Sequence, residues 1–245
     1  MTEQTDILIV GGGLVGASLA LALDAAGQRA VLLEAAKPRA VPANIAGGDD
    51  NDRNLVLARA SVNGLRAIDA WPHLESLAGT IRRVEVSRAG EFGKLRMAAE
   101  DAGVDALGRV VPGRVLGAVL ERQLAACQHI ERFAPAKLVS LAPTESGWRA
   151  TVRNGDAMRK IDARLVVGAD GSDSVVRAQV GIGAREHDYA QSLFVCTVGC
   201  DREIHDCAFE RFSDDGPIAL LPLPNGRRGL VLTVTADRHD EVAAM

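Results

Sequence analysis

From Asp6 to Glu34 the chain reads DILIVGGGLVGASLALALDAAGQRAVLLE, and this stretch leaves few choices of fold. Ile7-Leu8-Ile9-Val10 is short, mostly β-branched and apolar on both faces, as a strand buried in a parallel sheet must be. Gly11, Gly13 and Gly16 follow at the spacing G-x-G-x-x-G, and each removes a separate steric obstacle. Gly11 permits the tight turn off the strand, Gly13 lets backbone lie against a pyrophosphate, and Gly16 lets a helix pack closely on the strand. Leu14 to Ala26 is almost all Ala, Leu and Val, which predicts a buried helix. The first turn of that helix, with Leu14 and Val15, offers free N–H groups and a positive dipole end to an anion. Gly27 predicts its C-terminal cap, and Ala30–Leu33 a second strand.

Glu34 ends that strand, 18 positions after Gly16, close to the ~20 expected of a carboxylate that grips an adenosine ribose. A carboxylate there accepts hydrogen bonds from ribose hydroxyls and repels a 2′-phosphate. The set fits the ADP part of FAD or NAD and disfavours NADP. The motif by itself does not separate FAD from NAD.

A chain of 245 residues suffices for one large domain or two small ones. Its 47% apolar and 24% charged residues are those of a soluble globular protein, while 3% aromatics leave the core to Ala, Val and Leu. A net charge of −4 and the lack of a basic tract argue against nucleic acid as a partner. MTEQTD has no signal-peptide pattern, and no apolar run reaches the ~20 residues of a membrane span, so a cytoplasmic protein is expected. Cys127, Cys196, Cys200 and Cys207 show no metal spacing and are expected to be reduced thiols; no metal site is expected.

Farther along, residues 36–52 predict a mobile loop rich in Pro, Gly, Asn and Asp. Arg53 to Leu57 leads into a helix predicted from Ser61, its N-cap, to about Ala70. Arg53 is equally a contact to cofactor phosphate or flavin and a solvated arginine. Ile81–Ser87 and Lys94–Met97 predict a hairpin inserted from another sheet. Val110–Pro112 precedes a helix predicted from Arg114 to Ala126. Arg114 in its first turn opposes the dipole, which suits an arginine held for an anion as well as a plain surface one. Strands are expected at Lys137–Leu141, Arg149–Val152 and Lys160–Ala163, with a type I′ turn at Asn154-Gly155. Leu165–Gly168 reads as a second buried parallel strand. It ends in Asp170-Gly171, a carboxylate and glycine pointing into the crevice where open α/β sheets bind ligands. Past Gly181, Ser192–Cys200, Ala208–Phe212, Ile218–Pro222 and Arg228–Val234 alternate as strands of an antiparallel sheet, joined by the 81–97 hairpin. The expected class is α/β. A Rossmann-like domain, residues 1–78 and 105–180, has a parallel sheet and a β-meander. A second domain, residues 79–104 and 181–245, is mainly antiparallel.

The sequence resembles the flavin-dependent aromatic hydroxylases related to para-hydroxybenzoate hydroxylase. The residues that carry the resemblance are GGGLVG with Glu34, the Arg53 region, VVPGRVLGAVL, and D-G-x-x-S-x-x-R as Asp170, Gly171, Ser174 and Arg177. RRVEVSRAGEFGKLRMAAEDAGVDALGRVV and AFERFSDDGPIALLPLPNGRRGLVLTV are similar to the ubiquinone-synthesis branch, most of all the 2-polyprenyl-6-methoxyphenol hydroxylases. The resemblance makes residues 1–78 and 105–180 an FAD-binding domain and the rest a substrate domain. It implies FAD reduced by NAD(P)H, O2 as co-substrate, and hydroxylation of a polyprenylated phenol ring. It further implies that Asp170 serves both FAD and the pyridine nucleotide, that Arg53 and Arg114 lie near the flavin, and that the protein associates with a membrane or a lipid-handling complex. The cofactor carries the difficult chemistry, so no acid–base residue is assigned. Members of the family are longer and carry a further Gly-Asp motif followed by His and Pro, so these 245 residues alone are expected to hold FAD weakly. Two other readings remain: a non-catalytic nucleotide-binding relative or fragment, and an NAD-dependent dehydrogenase, which lacks a convincing His or Lys for hydride transfer.

Overall fold

The computed structural model describes residues 2–38, 41, 45, 53–202 and 204–244, so most of the loop expected over 36–52 lies outside the described residues. In chain order the first elements are β1 (Thr2–Val10), α1 (Leu14–Ala25), β2 (Ala30–Leu33), β3 (Asn54–Ala58), α2 (Arg59–Ala67), β4 (Gly79–Ile81), β5 (Arg83–Arg88), β6 (Lys94–Ala98) and β7 (Gly108–Pro112). Next come α3 (Gly113–Leu124), β8 (Ile130–Phe133), β9 (Ala136–Thr144), β10 (Gly147–Asn154), β11 (Ala157–Gly168) and α4 (Val175–Gln179). The last are β12 (Gln191–Val198), β13 (Cys207–Phe212), β14 (Pro217–Pro222), β15 (Arg228–Thr235) and α5 (His239–Ala243). The chain divides into two compact units, Met1–Ala43 with Gly117–Arg185, and Asn44–Leu116 with Glu186–Met245. By compactness, 44–78 and 105–116 group with the second unit, whereas the sequence reading placed them in the nucleotide domain.

In the first unit six strands run in the order β8-β2-β1-β11-β10-β9. Four of them, β8, β2, β1 and β11, are parallel, and β9-β10-β11 is the expected antiparallel meander. Leu8 and Ile9 are wholly buried, and α1 lies against β1, β2 and β8. Leu8, Val31, Phe133, Leu141, Val152, Ile161 and Val176 belong to one apolar cluster beneath the sheet. The helix α1 ends as expected: Gly27 takes φ +67°, its N–H bonds Asp24 O, and the Gln28 N–H bonds Leu23 O, which is a Schellman cap. Its burial is smaller than expected. Gly16, Ala17, Ala20 and Leu21 face inward, while Val15 is 74% exposed, because only one side of the helix meets the sheet.

Three expectations for this unit need correction. The strands expected at Lys160–Ala163 and Leu165–Gly168 are one strand, β11, antiparallel to β10 and parallel to β1. Its second half is not buried: pairing with β10 stops at Ala163, and Leu165 is 53% exposed. At the hairpin tip Asn154 pairs with Ala157, leaving Gly155 (φ +61°) and Asp156 as the loop. A positive φ at the first central residue alone is the type II′ arrangement, not I′. The sequence held a second Asn-Gly pair that does form I′: Asn225 and Gly226 have φ +59° and +70°.

In the second unit a six-stranded sheet runs β12-β15-β14-β13-β5-β6, antiparallel except for the β13–β5 pair. The 81–97 segment thus joins the late strands as expected, but it is split. Gly79–Ile81 pairs with β7 in a three-stranded sheet, β3-β7-β4, that the sequence reading missed. Three-residue strands are too short for periodicity to reveal. Ile81 and Val110 from the small sheet pack on Ala208 and Leu221 from the large one. Helix α2 starts at Arg59 rather than near Ser61, with Ala58 at the N-cap, because β3 runs directly into it.

Candidate functional site

The parallel register sets the site. Val10 lies opposite Leu33 on one side and Gly168 on the other, so three strand ends stand together. The first continues into the glycine turn, the second into Glu34 and the third into Asp170-Gly171. Backbone bonds lock the three exits: Gly11 N–H to Leu33 O at 2.8 Å, and Ala169 N–H to Val10 O at 2.7 Å.

The glycines do separate jobs. Gly11 has φ +105°, and a Cβ there would stand 2.4 Å from Ala169 O. A Cβ on Gly16 would stand 1.9 Å from Gly11 O, so helix and turn touch through backbone. Among the described residues, nothing lies within 4 Å of a Cβ placed on Gly13, the N-cap of α1, and no side chain caps the helix. Bare backbone facing open space at a helix N-terminus suits a pyrophosphate, with the amides of Leu14, Val15 and Gly16 in the first turn.

Glu34 is half-buried and held by backbone. One carboxylate oxygen accepts the Gly12 N–H at 2.8 Å and the other the Ala36 N–H at 2.7 Å. Each oxygen keeps a further lone pair for a hydroxyl. Gly12, which the sequence reading passed over, is needed here as well, since a Cβ would crowd the same oxygen at 2.9 Å.

Asp170 is more occupied than the sequence suggested. One oxygen accepts the Ser174 hydroxyl at 2.5 Å, the other the Val175 and Val176 amides at 2.6 and 3.1 Å. Ser174 in turn caps α4 by accepting the Arg177 N–H, and the Arg177 guanidinium donates to Ser172 O. The signature therefore builds its own loop. Burial alone would raise the Asp170 pKa, but the hydroxyl and amide bonds outweigh it and hold the carboxyl below its ordinary value. Gly171 follows at φ +87° with open space around it.

Arg53 and Arg114 belong to the second unit, where the structure places them at one junction. The Gly113 N–H donates to Arg53 O at 2.8 Å, and Arg114 follows in the first turn of α3. The Arg114 guanidinium donates to Ile45 O at 3.2 Å. Among the described residues no group of three or more His, Cys, Asp or Glu could hold a metal, and no helix is long and apolar enough to cross a membrane. Burial pushes the Cys127 thiol up to about 11, with the Asp24 carboxylate adding to it.

A glycine turn and two carboxylates at the ends of adjacent parallel strands mark the α/β fold of a dinucleotide-binding protein. The chain belongs to the FAD binding domain family, whose model matches residues 4–243. It is 37% identical to the ubiquinone hydroxylase UbiL of Rhodospirillum rubrum over 235 residues, 96% of this chain and 53% of that protein. It is 32% identical to the 3-demethoxyubiquinol 3-hydroxylase of Escherichia coli over 233 residues, 94% of this chain and 58% of that protein. The chain thus spans little more than half the length of these relatives. The structure of PqsL from Pseudomonas aeruginosa in complex with 2-aminobenzoylacetate matches 99% of this chain and 64% of that one, with a TM-score of 0.81 and 21% identity. The p-nitrophenol 4-monooxygenase PnpA from Pseudomonas putida matches 99% and 61%, with a TM-score of 0.78 and 18% identity. These likenesses establish the fold.

Proposed function

We propose that this chain is the cofactor-holding part of an FAD-dependent monooxygenase that uses NAD(P)H and O2 to hydroxylate a polyprenylated phenol ring in ubiquinone synthesis. The observation that carries the reading is the meeting of the glycine turn, Glu34 and Asp170 at three adjacent strand ends. The relatives named ubiquinone hydroxylases support the substrate class. Bound FAD would supply hydride acceptance and oxygen activation. The chain's own residues position it. Gly13 admits the pyrophosphate against backbone, and the amides of Leu14, Val15 and Gly16 donate to it, while Gly11 shapes the turn. Glu34 accepts the ribose hydroxyls, its orientation fixed by the Gly12 and Ala36 amides. Asp170 and Gly171 border the crevice, with Asp170 kept ionised by its own loop. Arg53 and Arg114, brought together by the Gly113 N–H to Arg53 O bond within the second unit, are the arginines that the family resemblance assigns to phosphate or flavin. Residence in the cytoplasm, at the inner membrane surface beside a biosynthetic complex, suits a substrate with a lipid tail.

Two substitutions in the full-length protein test this by separating folding from binding. Gly13→Ala meets no neighbour among the described residues, so stability should change by less than about 0.5 kcal/mol while FAD affinity drops. Glu34→Ala should weaken FAD binding by about 1–3 kcal/mol. Flavin absorbance and affinity unchanged in both variants would remove the assignment.

A further inference from the structure

The large sheet of the second unit carries a cavity of about 440 Å³ that the reading above does not use. Its apolar walls are Phe209 from β13, Ile218 and Leu220 from β14, Val198 at the end of β12, and Ile204, and charged side chains line much of the rest. Phe209 faces Leu220 and Arg211 faces Ile218 across the β13–β14 pair, so these side chains share one face of the sheet. Arg228, the first residue of β15, lies opposite Val198 on one side and Pro222 on the other, and it too lines the cavity.

Arg228 is the anomaly. It is only 4% exposed, yet among the described residues its guanidinium makes a single hydrogen bond, donated from Nη1 to Cys207 O at 2.7 Å. Among the described residues it makes no ion pair. The carboxylates nearby are engaged elsewhere, Asp206 with Arg82 at 3.5 Å and Glu85 with Lys94 and Arg96. Glu85, Lys94, Glu210 and Arg211 also line the cavity, two carboxylates against two cations, which leaves Arg228 as the unmatched charge of the lining. A guanidinium has five N–H donors and stays charged at any ordinary pH. Burying one without a counter-charge is costly, and a buried cation is normally paired.

We propose that this cavity binds a small apolar molecule bearing a single oxyanion, with Arg228 as the partner of the oxyanion and Phe209, Ile218, Leu220 and Val198 as apolar walls. The volume falls within the ~300–1,000 Å³ of ligand sites. The bond to Cys207 O fixes the guanidinium from one side and leaves its remaining donors for the ligand. A carboxylate and a phenolate share this chemistry. The site lies wholly within the second unit and does not depend on bound flavin.

The test is calorimetric titration of the full-length protein with octanoate, 4-nitrophenolate and neutral 1-octanol. At least one anion should bind tenfold or more tighter than 1-octanol, and whichever anion binds better identifies the class. Arg228→Met should abolish that preference and Arg228→Lys should restore part of it. Leu220→Trp, which keeps the arginine but fills the cavity, should remove anion binding, so the question is answered even if Arg228→Met does not fold. Equal binding of anions and 1-octanol, or anion binding unchanged in Leu220→Trp, would overturn the proposal. Titration needs no turnover, so a failure of the monooxygenase reading leaves this result interpretable.

Discussion

At the strand ends of the first unit, Glu34 and Asp170 are each held by the chain's own donors, and both acids keep their shape without help from a ligand. In the second unit, among the described residues, Asn54 is buried with neither amide atom bonded and Arg228 is buried without a counter-charge. The contrast follows from how each region is built. Parallel strands that end together expose a row of backbone amides, and a short loop can fold those amides back onto a carboxylate. Antiparallel sheets use their amides in the ladder, so Asn54, against Gly229 on the face that meets the small sheet, and Arg228, on the opposite face with Leu220 and Phe209, must each find another side chain or a spare carbonyl, or go unpaired. The first arrangement is preorganised and rigid. The second stores unmade bonds.

Substitutions at close backbone contacts give the largest expected effect and test the rigid side of the contrast. Gly16→Ala puts a Cβ 1.9 Å from Gly11 O, and Gly79→Ala puts one 1.9 Å from Pro222 O. Neither carbonyl can yield without moving a sheet, so each variant should lose about 3–5 kcal/mol in denaturant unfolding of the full-length protein. Cofactor affinity should separate them among molecules that remain folded: Gly16→Ala alters the glycine turn, whereas Gly79→Ala leaves the first unit untouched. A midpoint shift near zero for Gly16→Ala would mean that helix and turn are not in backbone contact.

Much of the first unit was legible because its signals are local. Gly11, Gly13 and Gly16 have one steric explanation each, Gly27 has a cap, and Ala30–Leu33 was located to the residue. The late strands of the second unit were also found within a residue or two, since alternation and turn residues mark them. What was hidden depends on partners distant in sequence. The strand Gly79–Ile81 is recognisable only beside Gly108–Val110, and the exposure of Leu165 follows from where β10 begins. The bonds from Ser174 to Asp170 could have been suspected from a serine four residues on, just before a helix. Nothing in the pattern announced that Asn54 and Arg228 would be buried.

An intermediate effect is expected at Asp170. Asp170→Asn replaces an acceptor-only group with an amide whose NH2 must face a backbone N–H or the Ser174 hydroxyl. The loss should be about 1.5–3 kcal/mol, the scale of a hydrogen bond to a charged group. The sign with pH is definite. The folded-state pKa lies below the unfolded value, so the stabilisation is fully present above the unfolded pKa, roughly 3.9, and fades as pH falls through the folded value. Acid titration of stability should therefore be flatter below about pH 4 in Asp170→Asn than in the wild type. Parallel acid profiles would show that the carboxylate is not held as described, and the contrast between the units would lose its first half.

The smallest effect belongs to Asn54, and it tests the other half. The side chain sits on β3 at 9% exposure, and a Cβ built on Gly229 would lie 2.7 Å from its amide nitrogen. Both amide atoms are out of water with no partner among the described residues. Each therefore gives up its hydration without a protein bond in return. Leucine has nearly the same shape and no polar atoms to desolvate. Asn54→Leu should leave stability unchanged or raise it by up to about 1 kcal/mol, against the usual destabilisation of a buried substitution. The measurement is thermal and denaturant unfolding of the full-length protein. A loss of 2 kcal/mol or more would mean that Asn54 makes bonds in the folded protein after all, on the scale of a buried hydrogen-bonded group. In that case Asn54 would be held by bonds as Glu34 and Asp170 are, and the contrast would rest on Arg228.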